Sequence, residues 1–144
     1  MRSLIRLSFL AATLLFSSTS LGEIVLIVHP DNPVKELSRD QIIKIYMGRN
    51  LTFPTGKPAL PLDMSPSSHS RQQFYNLLVN KSVAEINAYW ARLLFTGRAT
   101  PPRPVADAET LLETVRENPA AIGYIDVNSI DDSVKVVAHV KGNS

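Results

Sequence analysis

The chain has 144 residues, 44% of them apolar, with 15 lysines and arginines against 13 acids and no cysteine. That length suffices for one domain and is too short for two full lobes, and the lack of cysteine excludes disulfide staples and thiolate metal sites. Once the N-terminal Arg2 and Arg6 are set aside, 13 bases face 13 acids, which removes the electrostatic case for nucleic-acid binding.

Arg2 and Arg6 precede an apolar stretch from Leu7 to Phe16, and small or polar residues follow, ending Ser20-Leu21-Gly22. A basic start, a short apolar core and a small-x-small ending are the marks of a secretory signal. The apolar core is about half of the roughly 20 residues that a membrane-spanning helix requires, which argues against an uncleaved anchor. Residues 1–22 are therefore expected to be a cleaved signal peptide and residues 23–144 a single domain outside the cytoplasm. No second apolar stretch approaches spanning length, and no internal repeat is evident.

Glu23-Ile-Val-Leu-Ile-Val28, closed by His29-Pro-Asp-Asn-Pro33, reads as a buried strand and a turn. A first helix follows, with Ser38 and Gln41 as a capping box, Leu37 and Ile42 as a hydrophobic staple and Gly48 as its stop. Arg49 to Gly56 is a loop, and Lys57 to Asp63 is extended, its prolines pointing to an edge or a path outside a ladder. A second helix starts within Ser65 to Ser70, Ser65 and Ser68 both being suitable caps, with Phe74, Leu77 and Leu78 apolar and Asn80 as its end. Ser82 and Glu85 open a third helix whose Val83, Ile86, Trp90, Leu93 and Leu94 share one side.

Gly97 closes that helix, and Thr100-Pro-Pro-Arg-Pro104 is a stiff connection with little regular structure. A fourth helix runs from about Asp107 to Asn118, with Leu111, Leu112 and Val115 inward and Pro119 beyond it, and strands at Ala121–Ile125 and Val134–Ala138 complete the chain. Strands interleaved with helices predict an α/β domain with a mixed sheet flanked by helices. Ile86 to Ala106 holds Arg92, Arg98 and Arg103 and no acid, whereas Asp107 to Asp132 holds seven acids and one base, Arg116. The arginines read either as a cationic surface for an anion or acidic partner, or as solvated charges on ordinary loops.

Three phrases in order carry a family resemblance. Asn32 to Gly48 resembles the strand exit and helix of phosphate-type periplasmic substrate-binding proteins, the type 2 binding proteins of phosphate ABC transporters. Ala88-Tyr-Trp-Ala-Arg-Leu-Leu-Phe-Thr-Gly97 is similar to the small, single-lobe members of that group, and Asn118-Pro-Ala-Ala-Ile-Gly-Tyr124 looks like its Pro-Gly-Ala-Ile-Gly-Tyr segment. The likeness spans nearly the whole chain after residue 22 and implies one lobe of the two that close around a phosphate, corresponding to the later half of the full-length proteins. It also implies a periplasmic location, binding without catalysis, no cofactor, and a membrane transporter or sensor as partner.

In the full-length relatives this lobe contributes an arginine and a Gly-Ser-Gly-Thr turn at a helix start. Free amides, hydroxyls and the helix dipole converge there on the anion. Setting Phe74 on the aromatic position of that helix puts Ser67-Ser68-His69-Ser70 on the turn, with Ser68 and Ser70 keeping the hydroxyls. Both glycines are replaced, by Ser67 and His69, and the arginine position falls near Asp63 or Met64, where a carboxylate would repel phosphate unless it faced away or accepted a donor. Arg71, one turn on, is the available substitute. Ser67, Ser68, His69, Ser70 and Arg71 are thus the expected oxyanion ligands, and simple capping by one of the serines is the competing explanation.

The residue types also allow a hydrolase reading from Ser67 or Ser68, His69 and Asp63, but adjacent residues on one turn rarely reach nucleophile-to-base geometry and no nucleophile-elbow pattern occurs. His29, His69 and His139 lack paired ligand spacing, so no metal site is expected. Trp90 lies on the stripe of Ile86 and Leu93 and is expected in the core, with Tyr89 and Phe95 nearer an interface. An alternative to oxyanion binding is an interaction module that has lost the site and contacts a membrane sensor, porin or transporter. A lobe without its partner lobe also has a surface free for homodimerisation.

Overall fold

A computed structural model describes residues 22–142. The expected signal peptide, Gly22 apart, lies outside the described residues. Strand β1 (Ile24–Val28) is the continuous apolar run, and all five residues are buried. Such a strand needs cover on both faces and partners on both edges. It pairs antiparallel with β4 (Ala121–Asp126) on one side, Ile24 opposite Asp126, and with β5 (Lys135–Val140) on the other, Ile24 opposite Val140, with a register shift between Leu26 and Ile27.

The other half of the sheet is parallel. β2 (Leu60–Asp63) pairs with β4 through Leu60 and Pro61 and with the two-residue β3 (Arg103–Pro104) through Leu62 and Asp63, giving the order β3-β2-β4-β1-β5. The prolines of 57–63 point to an edge strand or a path outside a ladder, yet β2 lies inside the sheet. The two findings are reconciled locally: β3 reaches only Leu62 and Asp63, so at Pro61 the strand is paired on one side and its missing N–H costs no second ladder bond. The proline connection 100–104, expected to be irregular, supplies β3.

Helices cover both faces. α1 (Arg39–Tyr46) starts with the predicted capping box, both bonds of which are present, and Gly48 follows with φ +71°. α2 (His69–Val79) is capped by Ser68, so the choice between Ser65 and Ser68 resolves to the latter, and Asn80 ends it in the left-handed conformation. α3 (Val83–Thr96) runs from Ser82, which accepts from the Glu85 amide, to a left-handed Gly97, and α4 (Ala108–Glu117) is capped by Asp107. Neighbouring residues of a strand point to opposite faces, and β4 uses this: a Cβ on Gly123 would lie 2.8 Å from Leu111 of α4, while Tyr124 stacks on Phe74 of α2, ring centroids 3.9 Å apart. The sheet is therefore a filling between α2 on one side and α4 on the other.

Phe74 and Tyr124, joined by Tyr46 and Tyr75, form the aromatic centre of the α2 face, and all four are fully buried. The Tyr46 hydroxyl donates to the carbonyls of Leu62 and Ile122, which ties α1 to β2 and β4 at once. No helix among the described residues is long and apolar enough to cross a membrane.

Candidate functional site

β2 runs parallel to both of its neighbours and ends at Asp63, and the chain then turns through Met64–Ser67 into α2. The crevice beyond the carboxyl ends of parallel strands is the general location of ligand sites in α/β sheets. Ser67, Ser68, His69, Ser70 and Arg71 all fall on this turn or in the first turn of the helix.

The structure gives these five residues four different settings. Ser68 is the cap, its Oγ accepting from the Arg71 amide at 3.3 Å, and its amide is held by the Ser65 carbonyl. Ser67 is exposed and its Oγ lies 3.2 Å from that of Ser65. His69 is exposed and Ser70 half-buried; among the described residues neither their side chains nor their amides have a hydrogen-bond partner. The first amides of a helix have no partner within it, and here two of them sit beside three hydroxyls.

Arg71 behaves differently, because it folds back into the protein with only 6% of its surface exposed. Its Nε donates to Asp63 Oδ2 at 3.3 Å, its Nη2 donates to Asn87 Oδ1 at 3.1 Å, and its guanidinium carbon lies 5.5 Å from the centre of the Tyr75 ring. Its Nη1, like Trp90 Nε1, is buried with no partner among the described residues. An unmet buried donor costs about 1–3 kcal/mol.

Asp63 is the hub of this arrangement and is equally buried, 6% exposed. The Tyr75 hydroxyl donates to Oδ2 at 2.9 Å, the Tyr124 hydroxyl donates to Oδ1, and the Met64 amide donates to both Oδ1 and the Tyr124 oxygen. Burial, reinforced by the Asp63 carboxylate beside them, pushes the Tyr75 and Tyr124 phenols far above their ordinary range, and burial does the same to Tyr46. All three stay neutral donors at any physiological pH. A carboxylate with four donors is stable where an unpaired one would not be.

The charge misfit noted in the sequence is thereby accounted for: Asp63 faces inward and spends its charge on Arg71. The buried pair is neutral, and any anion at the α2 start meets helix amides and hydroxyls rather than a free cation. The Ser-His-Asp combination is not assembled, since Asp63 accepts from two tyrosines and Arg71 while His69 has no bonded partner among the described residues.

Beside the pair, Asp63 and Arg71 line a cleft of about 320 Å³ shared with Asn87, Trp90 and Leu94 of α3 and with Pro102. Tyr75, Tyr124 and Asn87 were not singled out by the sequence. Arg71 and Tyr75 are four residues apart and so share a helix face, a usable clue. That Tyr124 joins them depends on the pairing of β2 with β4, which no local pattern announces.

No protein-family model matches the chain, and no curated protein matches its sequence. Solved structures do. An ABC-type phosphate transport receptor from Vibrio cholerae matches with TM-score 0.65 and 22% identity over 81% of this chain and 45% of that one. A protein with bound phosphate from Clostridium perfringens, assigned as a phosphate ABC transporter substrate-binding protein, matches with TM-score 0.64 and 26% identity over 81% and 44%. PstS from Borrelia burgdorferi matches with TM-score 0.62 and 18% identity over 81% and 47%. The chain spans slightly less than half the length of these proteins. Its mixed five-stranded sheet and flanking helices are similar in fold to that part of the phosphate ABC transporter substrate-binding proteins, as the resemblance in sequence implied.

Proposed function

We propose that the chain is a non-catalytic, periplasmic, solute-binding-like protein that takes phosphate or another small oxyanion at the start of α2, for transport or sensing. The observation that carries this reading is the pair of unpartnered amides of His69 and Ser70 at the end of a parallel strand, beside the hydroxyls of Ser67, Ser68 and Ser70. Helix dipole and amides favour an anion there, and one solved relative of the same fold has phosphate bound. In this reading the exposed His69 imidazole adds a donor, and Arg71, paired with Asp63, does not supply the site's charge.

Two consequences follow from that electrostatic balance. A singly charged oxyanion is favoured over a dianion, because no free cation offsets the second charge. Held at exposed residues such as Ser67 and His69, the anion keeps part of its water and binds weakly. Thermal unfolding in increasing phosphate, at constant ionic strength and with chloride as control, tests the reading: a midpoint that climbs with phosphate concentration supports it, and an unchanged midpoint removes it.

The second reading is the interaction module, contacting a membrane sensor, porin or transporter. It is favoured by one observation, the exposure of Leu94 and Phe95 on α3. Retention of a membrane-extracted partner on the immobilised protein, lost in Phe95→Ser, is its signature.

A further inference from the structure

Helix α3 has 14 residues, of which only Glu85, Asn87, Arg92 and the terminal Thr96 are polar. A surface helix ordinarily has one apolar stripe, and a helix apolar nearly all round is a buried one. The inner face is used as expected: Ile86 and Trp90 are buried, Tyr89 and Leu93 pack on the core, and the Tyr89 hydroxyl donates to the Met47 carbonyl at 2.7 Å. The outer face has no such use. Ala84, Ala88, Ala91, Leu94 and Phe95 are all exposed, Leu94 by 54% and Phe95 by 95%. Positions 84, 88, 91 and 95 fall on one stripe by the helical period, with Leu94 beside it.

We infer that this face is covered by a second copy of the same chain, with the two α3 helices packed antiparallel about a twofold axis near Tyr89. The pattern is self-complementary in that arrangement. Phe95 falls opposite the partner's Ala84 and Ala88 opposite the partner's Ala91, so the one large side chain meets a small one. Arg92 comes within a turn of the partner's Glu85, and the twofold axis creates the same ion pair again. Both charges are exposed in the single copy, and the only ion-pair partner of Glu85 among the described residues is Lys81, 3.7 Å away. Antiparallel packing also sets the helix dipoles head to tail.

The size of the face sets the strength of the contact. Fourteen residues span about 21 Å, so the pair covers less than the roughly 800 Å² per partner of a standard interface, and the dimer forms in the micromolar range or above. The inference does not depend on the oxyanion reading, since α2 and its serines take no part in it.

Sedimentation equilibrium of the purified protein, from about 10 µM to 1 mM, tests it. Expected is a reversible monomer–dimer equilibrium that Phe95→Glu and Ala88→Arg each weaken by about tenfold or more, with far-UV circular dichroism and unfolding midpoint retained. Arg92→Glu should weaken the dimer, and Arg92→Glu combined with Glu85→Arg should recover it. A monomer across the whole range, a dimer indifferent to Phe95→Glu, or association that runs on past the dimer would each overturn the inference.

Discussion

The interior around Asp63 and the outer face of α3 are neighbours across one cleft, and each inverts the usual placement of residues. Asp63 and Arg71 put opposite charges inside, and Leu94 and Phe95 put apolar surface outside. The interior inversion is resolved within the chain apart from Arg71 Nη1, since two tyrosines, an amide and an asparagine answer the rest of the ion pair. The exterior one is not, and nothing within α3 or the Pro101–Pro104 segment covers Phe95. Unusual residues whose requirements are met at home serve the fold, whereas those whose requirements are unmet point to something outside it.

Breaking the interior pair should have the largest effect. Asp63→Ala leaves Arg71 a buried charge without its partner and two phenols without acceptors, and should cost about 3–5 kcal/mol of stability by urea unfolding. The second test is alkali. Tyr46, Tyr75 and Tyr124 all have folded-state values raised above the unfolded value, so the stability they contribute is fully present below about pH 10 and lost as pH rises beyond it, by about 1.4 kcal/mol per pH unit for each. Unfolding curves measured above and below that pH would sharpen the comparison, because the α3 face carries no such group.

Smaller effects separate capping from ligand binding and interior from exterior. Ser68→Ala should cost about 1 kcal/mol through loss of the α2 cap, while Ser70→Ala, with no bond to lose, should leave the unfolding midpoint alone. Phe95→Ser should change stability by less than about 0.5 kcal/mol, since an exposed side chain away from such features contributes little to the isolated fold. A large loss in Phe95→Ser would break the contrast between the two regions.

Local signals in the sequence carry much of the fold. The capping box at Ser38 and Gln41, the left-handed ends at Asn80 and Gly97, and the all-apolar run of β1 each follow from neighbours a few residues apart. Pro61 misleads for the same reason, because whether a proline harms a strand depends on where the adjacent strand stops, and β3 stops short of it. At the site, the five predicted residues cluster because they are consecutive. The fate of Arg71 was not legible, because its partner Asp63 is set by β2 and the tyrosine that completes the pair comes from β4, 61 residues away in sequence.

Isothermal titration of the purified protein with phosphate, with sulfate as control, addresses the central claim directly. The account predicts weak, saturable binding that strengthens below neutral pH, where phosphate carries a single charge, and that is lost in the Ser68→Ala, Ser70→Ala double variant while Ser70→Ala alone weakens it without altering the fold. No heat at millimolar phosphate, or binding untouched by the double variant, would contradict it.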